Sequence, residues 1–378
     1  MFRIVEKELR VEFPRGHHLH CLMAQIPNRL GDARQACHLA EPQANWDQVR
    51  SVLELVRAAP GNLKKLHFLL FPEASLPACR LDDALDFVRD GFAPNSITAF
   101  GVDHLSLGEF RALVTRYRQD NAELLASIEE DMEAGAPETI PVNWCAIAVK
   151  EADGNLRVFI EAKSHPFGGE ETIDPFHDLY RGKVFPLFRC PANGFNFMTL
   201  ICFDYVYRDL YQSNISAIIE QANELFFRSR QRLDLLAVLE CNPKPEHAAF
   251  RDVVNGFYGE YLAYTPGVRD CVTLFCNSSA ETKGGWVRPE HRFGRSSVIM
   301  HRGHKIAHSS LGEFSVDDFG GLPVCRLRFG EDTRLYYFNL PLFHELDPRT
   351  TRVPLKIHSV FGPTEGGSWT PLAWEEDP

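Results

Sequence analysis

Residues 200–210 read "LICFDYVYRDL": an apolar run that stops at Cys202, an aromatic residue and an acid, then a stretch of mixed polarity. The run predicts a buried strand, and the mixed stretch opens a helix expected from about residue 209 to 232, so the thiol stands at a strand-to-helix junction. Outward from it the pattern repeats. "HLHCLMAQIP" predicts a first strand, "ANWDQVRSVLELVRAA" a helix, "LHFLLF" a strand halted by Pro72, and "NSITAFGVD" another. "NWCAIAVKEADGNLRVFIEAK" predicts two strands about a "DGN" turn, and "LDLLAVLEC" and "CVTLFCNSS" flank a further helical stretch. Helices between strands, with a β-rich last quarter, predict an α/β fold. Hairpins are expected there about Gly303 and Gly330. Residues 1–345 read as one domain carrying an inserted acidic helical segment at about 105–135, and 346–378 as a C-terminal arm or linker.

Composition narrows the function. The chain has 378 residues, 44% hydrophobic and 24% charged, which suits a globular protein with a substantial core. A net charge of −11 argues against autonomous nucleic-acid binding, which needs a basic face. No apolar run is long enough to span a membrane, and "MFRIVEKELRVEFPRG" lacks a secretion signal's apolar core, so a cytoplasmic location is expected. The ten cysteines include no CxxC pair, and His17, His18 and His20, like His301, His304 and His308, lack companion ligands at metal spacing. No cofactor is expected.

Three strand ends each deliver a reactive side chain: "LLFPEAS" Glu73, "VFIEAKSHPF" Lys163 and "TLICFD" Cys202. Carboxyl ends of strands are where α/β sites assemble. A thiolate attacks a carbonyl or nitrile carbon, a carboxylate accepts the thiol proton and later returns it to the leaving amine, and an ammonium steadies the developing oxyanion. The backbone N–H of Phe203, just after the thiol, is a second oxyanion donor. Glutamate, lysine and cysteine thus suffice to cleave a carbon–nitrogen bond. Asp204 reads as a structural hydrogen-bond partner.

On these stretches, "FPE" at 71–73, "KSH" at 163–165 and "CFD" at 202–204, the chain resembles the carbon–nitrogen hydrolase (nitrilase) superfamily. Gln25, Asn143, Asn277 and the "GRSSVIMHRGHKIA" stretch resemble further family positions, and the ordered agreement runs from about residue 20 to 340. The resemblance implies a four-layer α-β-β-α sandwich and commonly a homodimer. It also implies a second glutamate shortly after the lysine, here Glu171 by preference, with Glu170 the alternative. "CFD" looks more like the amidase branches than the nitrile-cleaving ones, so the expected partner is a small-molecule amide or nitrile. The alternative is a nitrilase-like binding or regulatory module acting with a partner protein. The chain departs from the family at "ASLPACR" after Glu73 and in longer stretches at 105–135 and 202–234, which bear on the substrate more than on the chemistry.

Overall fold

The computed structural model describes residues 3–13, 18–31, 39–165, 179–202, 204, 221, 224, 233–245, 271–301, 311–319, 322–341 and 355–374. Their backbone forms two eight-stranded sheets. The first runs β1 (Arg3–Glu8), β8 (Val184–Cys190), β9 (Phe195–Ile201), β10 (Leu235–Glu240), β11 (Val272–Asn277), β13 (Ser297–His301), β15 (Leu322–Phe329), β14 (Gly312–Phe319). The second runs β18 (Trp369–Leu372), β17 (Lys356–Pro363), β16 (Arg334–Pro341), β2 (His18–Gln25), β4 (Phe68–Leu70), β5 (Ser96–Ser106), β6 (Pro141–Lys150), β7 (Leu156–Ala162). Two short strands, β3 (Arg29–Leu30) and β12 (Lys283–Gly284), pair with each other. Both sheets are mixed: β9, β10 and β11 run parallel in one and β2, β4 and β5 in the other, with antiparallel strands beside them.

Successive strand residues point to opposite faces, and this period divides the apolar residues between two cores. Cys21, Met23, Phe68, Leu70, Ile97 and Ile147 of the second sheet meet Phe188, Phe197, Leu235, Leu239 and Leu274 of the first. Their neighbours Leu22, Leu69, Phe71, Phe100 and Trp144 point the other way, against helices. Those helices are α1 (Pro42–Ala58), α2 (Leu81–Gly91), α3 (Leu107–Arg116) and α4 (Ala122–Glu133). α1 starts with a proline in its first turn and buries Trp46, Val49, Val52, Leu53 and Val56, a stripe at helical spacing. α3 starts with a capping box between Ser106 and Glu109. Among the described residues no helix is long and apolar enough to cross a membrane.

The expected four-layer α-β-β-α sandwich is not what these residues build. Among them eighteen strands stand against four helices, the sheets are large and mixed, and all four helices contribute to the core on one face of the second sheet. The alternation of strand and helix signals is real up to residue 163, and among the described residues beyond it the named elements are strands. Of the helix expected at about 209–232 only residues 221 and 224 are described, both helical; the helical stretch expected before Cys271 and the turn at Gly303 lie outside the described residues. The expected hairpin about Gly330 is also corrected. β15 joins the first sheet and β16 the second, so "GEDT" carries the chain from one sheet to the other. A glycine–acid turn looks the same locally whether its strands pair or part. The acidic segment at 105–135 contains the end of β5 and the helices α3 and α4, and the stretch read as an arm supplies β17 and β18, which extend the second sheet beyond β16.

Candidate active site

β4 ends at Leu70, and the next three residues carry the chain over β5 to Glu73. Gly101 of β5 makes room there: a Cβ on it would stand 2.1 Å from the Pro72 carbonyl oxygen and 2.4 Å from the Glu73 Cα. The Gly101 carbonyl accepts N–H bonds from Ser75 and Leu76. Asn28 donates to the Glu73 carbonyl at 2.8 Å, and Ala74 takes a left-handed φ of 52°, so the turn is held from both sides. The Glu73 side chain is buried.

β7 runs antiparallel to β6, and β6 antiparallel to β5, so the carboxyl end of β7 reaches the same end of the sheet as Glu73. Lys163 follows it and is fully buried. Its N–H donates to the Asn143 carbonyl, and Gly182 packs so closely beside it that a Cβ there would meet the Ala162 carbonyl at 2.1 Å. The ammonium donates to Glu73 Oε1 at 2.7 Å. Asn143 Nδ2 donates to the same oxygen at 2.8 Å, and the N–H of Cys241 donates to Oε2 at 2.9 Å. The carboxylate is thus fixed by three donors from three segments, and the buried ammonium has its counter-charge.

Cys202 follows β9 in the first sheet. Its φ is 43°, a left-handed conformation that costs an ordinary side chain energy and is often held in place at functional sites. The residue is buried, 6% exposed. Two links bring it to the pair. The Cys202 N–H donates to the Leu239 carbonyl at 2.9 Å, two residues before the N–H that holds Glu73. The buried Asp204 carboxylate accepts the N–H groups of Ser164 at 3.0 Å and His165 at 2.8 Å, tying the loop after the cysteine to the loop after the lysine. Burial raises the pKa of Asp204, against the opposing pull of His165 and Lys163. The three side chains expected to act together therefore come from strand ends joined by backbone hydrogen bonds. Phe203, Glu170 and Glu171 lie outside the described residues.

Cys241 belongs to the site, although its motif did not single it out. Its thiol accepts from Asn28 Nδ2 at 3.5 Å and Ser278 Oγ at 3.4 Å, and burial, with the Glu73 charge, pushes it up to about 12. It is a neutral thiol wall, unsuited to attack. A signal is present in the sequence: "LLAVLEC" ends in a polar-capable residue as the other three strand ends do. Asn277 and Gln25 are also buried and pin loops. Asn277 bonds the backbone of Asn242, Ser278 and Gly294, and Gln25 that of Ser296, Gly330 and Asp332. Among the described residues no three His, Cys, Asp or Glu side chains are grouped to hold a metal ion.

No protein-family model matches the chain, and no curated protein matches it.

Proposed function

We propose that the protein hydrolyses a non-peptide carbon–nitrogen bond, most readily that of an amide, through a thioester on Cys202, as in the nitrilase superfamily that its motifs resemble. The observation that carries this reading is the buried Lys163–Glu73 ion pair, connected through Leu239 and Asp204 to a cysteine in a left-handed turn. Glu73 takes the thiol proton and the thiolate sulfur bonds to the substrate carbonyl carbon. The Lys163 ammonium steadies the resulting oxyanion, with the N–H of Phe203 as the second donor of this proposal. The intermediate collapses as Glu73 returns its proton to the departing amine, leaving an acyl thioester. Water then adds to that carbonyl as Glu73 takes one of its protons. Expulsion of the thiolate yields the acid, and the proton returns to sulfur. The proposal includes a homodimer, which sedimentation equilibrium checks.

Incubation with a panel of simple amides and nitriles, followed by intact-mass measurement, tests the chemistry. The expected result is an acyl adduct that maps to Cys202, with release of ammonia or amine. An adduct on any other cysteine, or none together with no amine release, overturns the proposal.

A further inference from the structure

A cavity of about 430 Å3 lies at the amino ends of the parallel strands β2, β4 and β5, the end opposite Glu73. His18 and His20 line it from β2, His67 from the residue before β4, and Lys64 and Lys65 from the short 3-10 turn before that. Asn95 and Asn339 close it, and the exposed Glu12 contributes the one carboxylate of its lining. Five lining side chains thus carry or can accept positive charge, against one that carries negative charge.

The imidazoles are in mutual contact. The ring of His20 stacks on that of His358 at 5.7 Å and on Tyr337 at 5.8 Å, and lies 5.5 Å from His67. The Tyr337 hydroxyl is 2.7 Å from His20 Nδ1, and the His20 backbone N–H donates to His67 Nδ1 at 3.0 Å. Burial, helped by the charges of His358, Lys65 and His18, lowers His20 to about 4. Burial and His20 do the same to His67, and His358 is lowered by burial, Lys356, His18 and Lys65. Each ring resists protonation because burial removes part of its hydration and positive charge stands nearby. A cation would meet the same repulsion from the lysines, so the cavity is unsuited to a metal. An anion reverses it.

We propose that this cavity binds the phosphoryl group of a small-molecule ligand, through the Lys64 and Lys65 ammonium groups and the imidazoles of His20 and His67. Two ammonium groups suit a dianion, and imidazolium donors to phosphate oxygens form charge-assisted bonds. The volume lies within the range of small-molecule sites and exceeds a phosphoryl group, leaving space for the group that carries it. An anion there offsets the repulsion that withholds the ring protons, so binding draws a proton onto His20, whose Nδ1 can donate to the Tyr337 hydroxyl, while His67 Nδ1 stays an acceptor of the His20 backbone N–H.

The full chain is titrated with inorganic phosphate and, separately, with a nucleoside 5′-monophosphate near neutral pH, following the histidine ring resonances. Sulfate, which stays dianionic, is titrated at about pH 5.5 and about pH 7.5, so that any proton taken up belongs to the protein and not to the ligand. Saturable shifts of the His20 and His67 resonances are expected. Sulfate should bind at least about fivefold more tightly at the lower pH, with proton uptake detected by calorimetry in two buffers. The double variant Lys64→Ala/Lys65→Ala should lose about tenfold or more in affinity for all three ligands. Both lysines are exposed, so this variant keeps the fold, which its thermal unfolding checks. Tighter binding of the nucleotide than of phosphate assigns the remaining volume to the nucleoside, and equal binding assigns the phosphoryl group alone. The proposal is overturned if none of the three ligands shifts the two histidines, or if affinity is unchanged in the double variant.

Discussion

Glu73 receives three hydrogen bonds on two oxygens, and each has a different consequence when removed. Glu73→Gln keeps the shape and abolishes the base, so turnover should fall by about a hundredfold or more. It also leaves the buried Lys163 ammonium facing a neutral amide, and breaking one side of a buried pair costs about 3 kcal/mol. Urea unfolding of Glu73→Gln, Lys163→Met and the double variant measures this. The double variant is expected to be less destabilised than the two single losses summed, and strict additivity would show that the pair is not coupled. Cys202 makes a separable prediction, because its left-handed φ penalises any Cβ. Cys202→Ala and Cys202→Gly should both be inactive, with the glycine variant the more stable by up to about 1 kcal/mol. A more stable alanine variant would mean that the turn is not strained as described.

At the scale of elements, the site depends on strands that approach more closely than side chains ordinarily allow. Gly101→Ala places a methyl group on the Pro72 carbonyl and the Glu73 Cα, so either β5 or the Glu73 turn must move. A loss of about 2 kcal/mol in stability and most of the activity is expected. Gly330→Ala is the control: nothing lies within 4 Å of a Cβ at that position, and the variant should unfold close to the parent temperature. Local pattern alone makes several elements legible. The hairpin about "DGN" is β6 and β7, the "ANWDQVRSVLELVRAA" periodicity is α1, and the apolar runs at 195–201, 235–240 and 272–277 are strands. β1 is not legible in this way, since "RIVEKE" has two adjacent aliphatic residues among four charged ones, with no strand period, and becomes a strand by pairing with β8 at the sheet edge. Charged residues on such an edge discourage pairing with other chains.

For the whole molecule, two consequences can be measured. β17 closes one side of β16, and Leu355, Ile357, Val360 and Phe361 are buried against the cores. A chain ending at residue 345 should therefore expose a sheet edge and apolar surface and accumulate as aggregate, which light scattering would detect. A soluble, fully folded truncated chain would show that β17 and β18 are dispensable. The second consequence concerns pH. His20 and His67 protonate near 4 in the folded protein, against an ordinary value near 6.5 in the unfolded chain, so between these limits the unfolded state binds more protons. Stability is complete above about pH 6.5 and falls as the pH drops toward 4. In buffer without phosphate or sulfate, the urea midpoint should decline across that interval, and His67→Gln should flatten part of the decline.

At which strand ends Glu73, Lys163 and Cys202 stand was legible in the sequence. "FPE", "KSH" and "CFD" each place a polar residue after an apolar run, and burial of the run fixes where the strand stops. Sheet membership was not, because pairing is a long-range choice that local periodicity does not encode. The strands on either side of Gly330 look like partners and part to different sheets, and the stretch after residue 345 looks like a tail and returns as strands. The expected layering failed for the same reason, since counting strand and helix signals says nothing about which face each one covers. Cys241 entered the site, and His20, His67 and His358, far apart in sequence, met around one another, only when the strands were laid side by side. Burial then gave those thiol and imidazole groups proton affinities that no residue type carries alone.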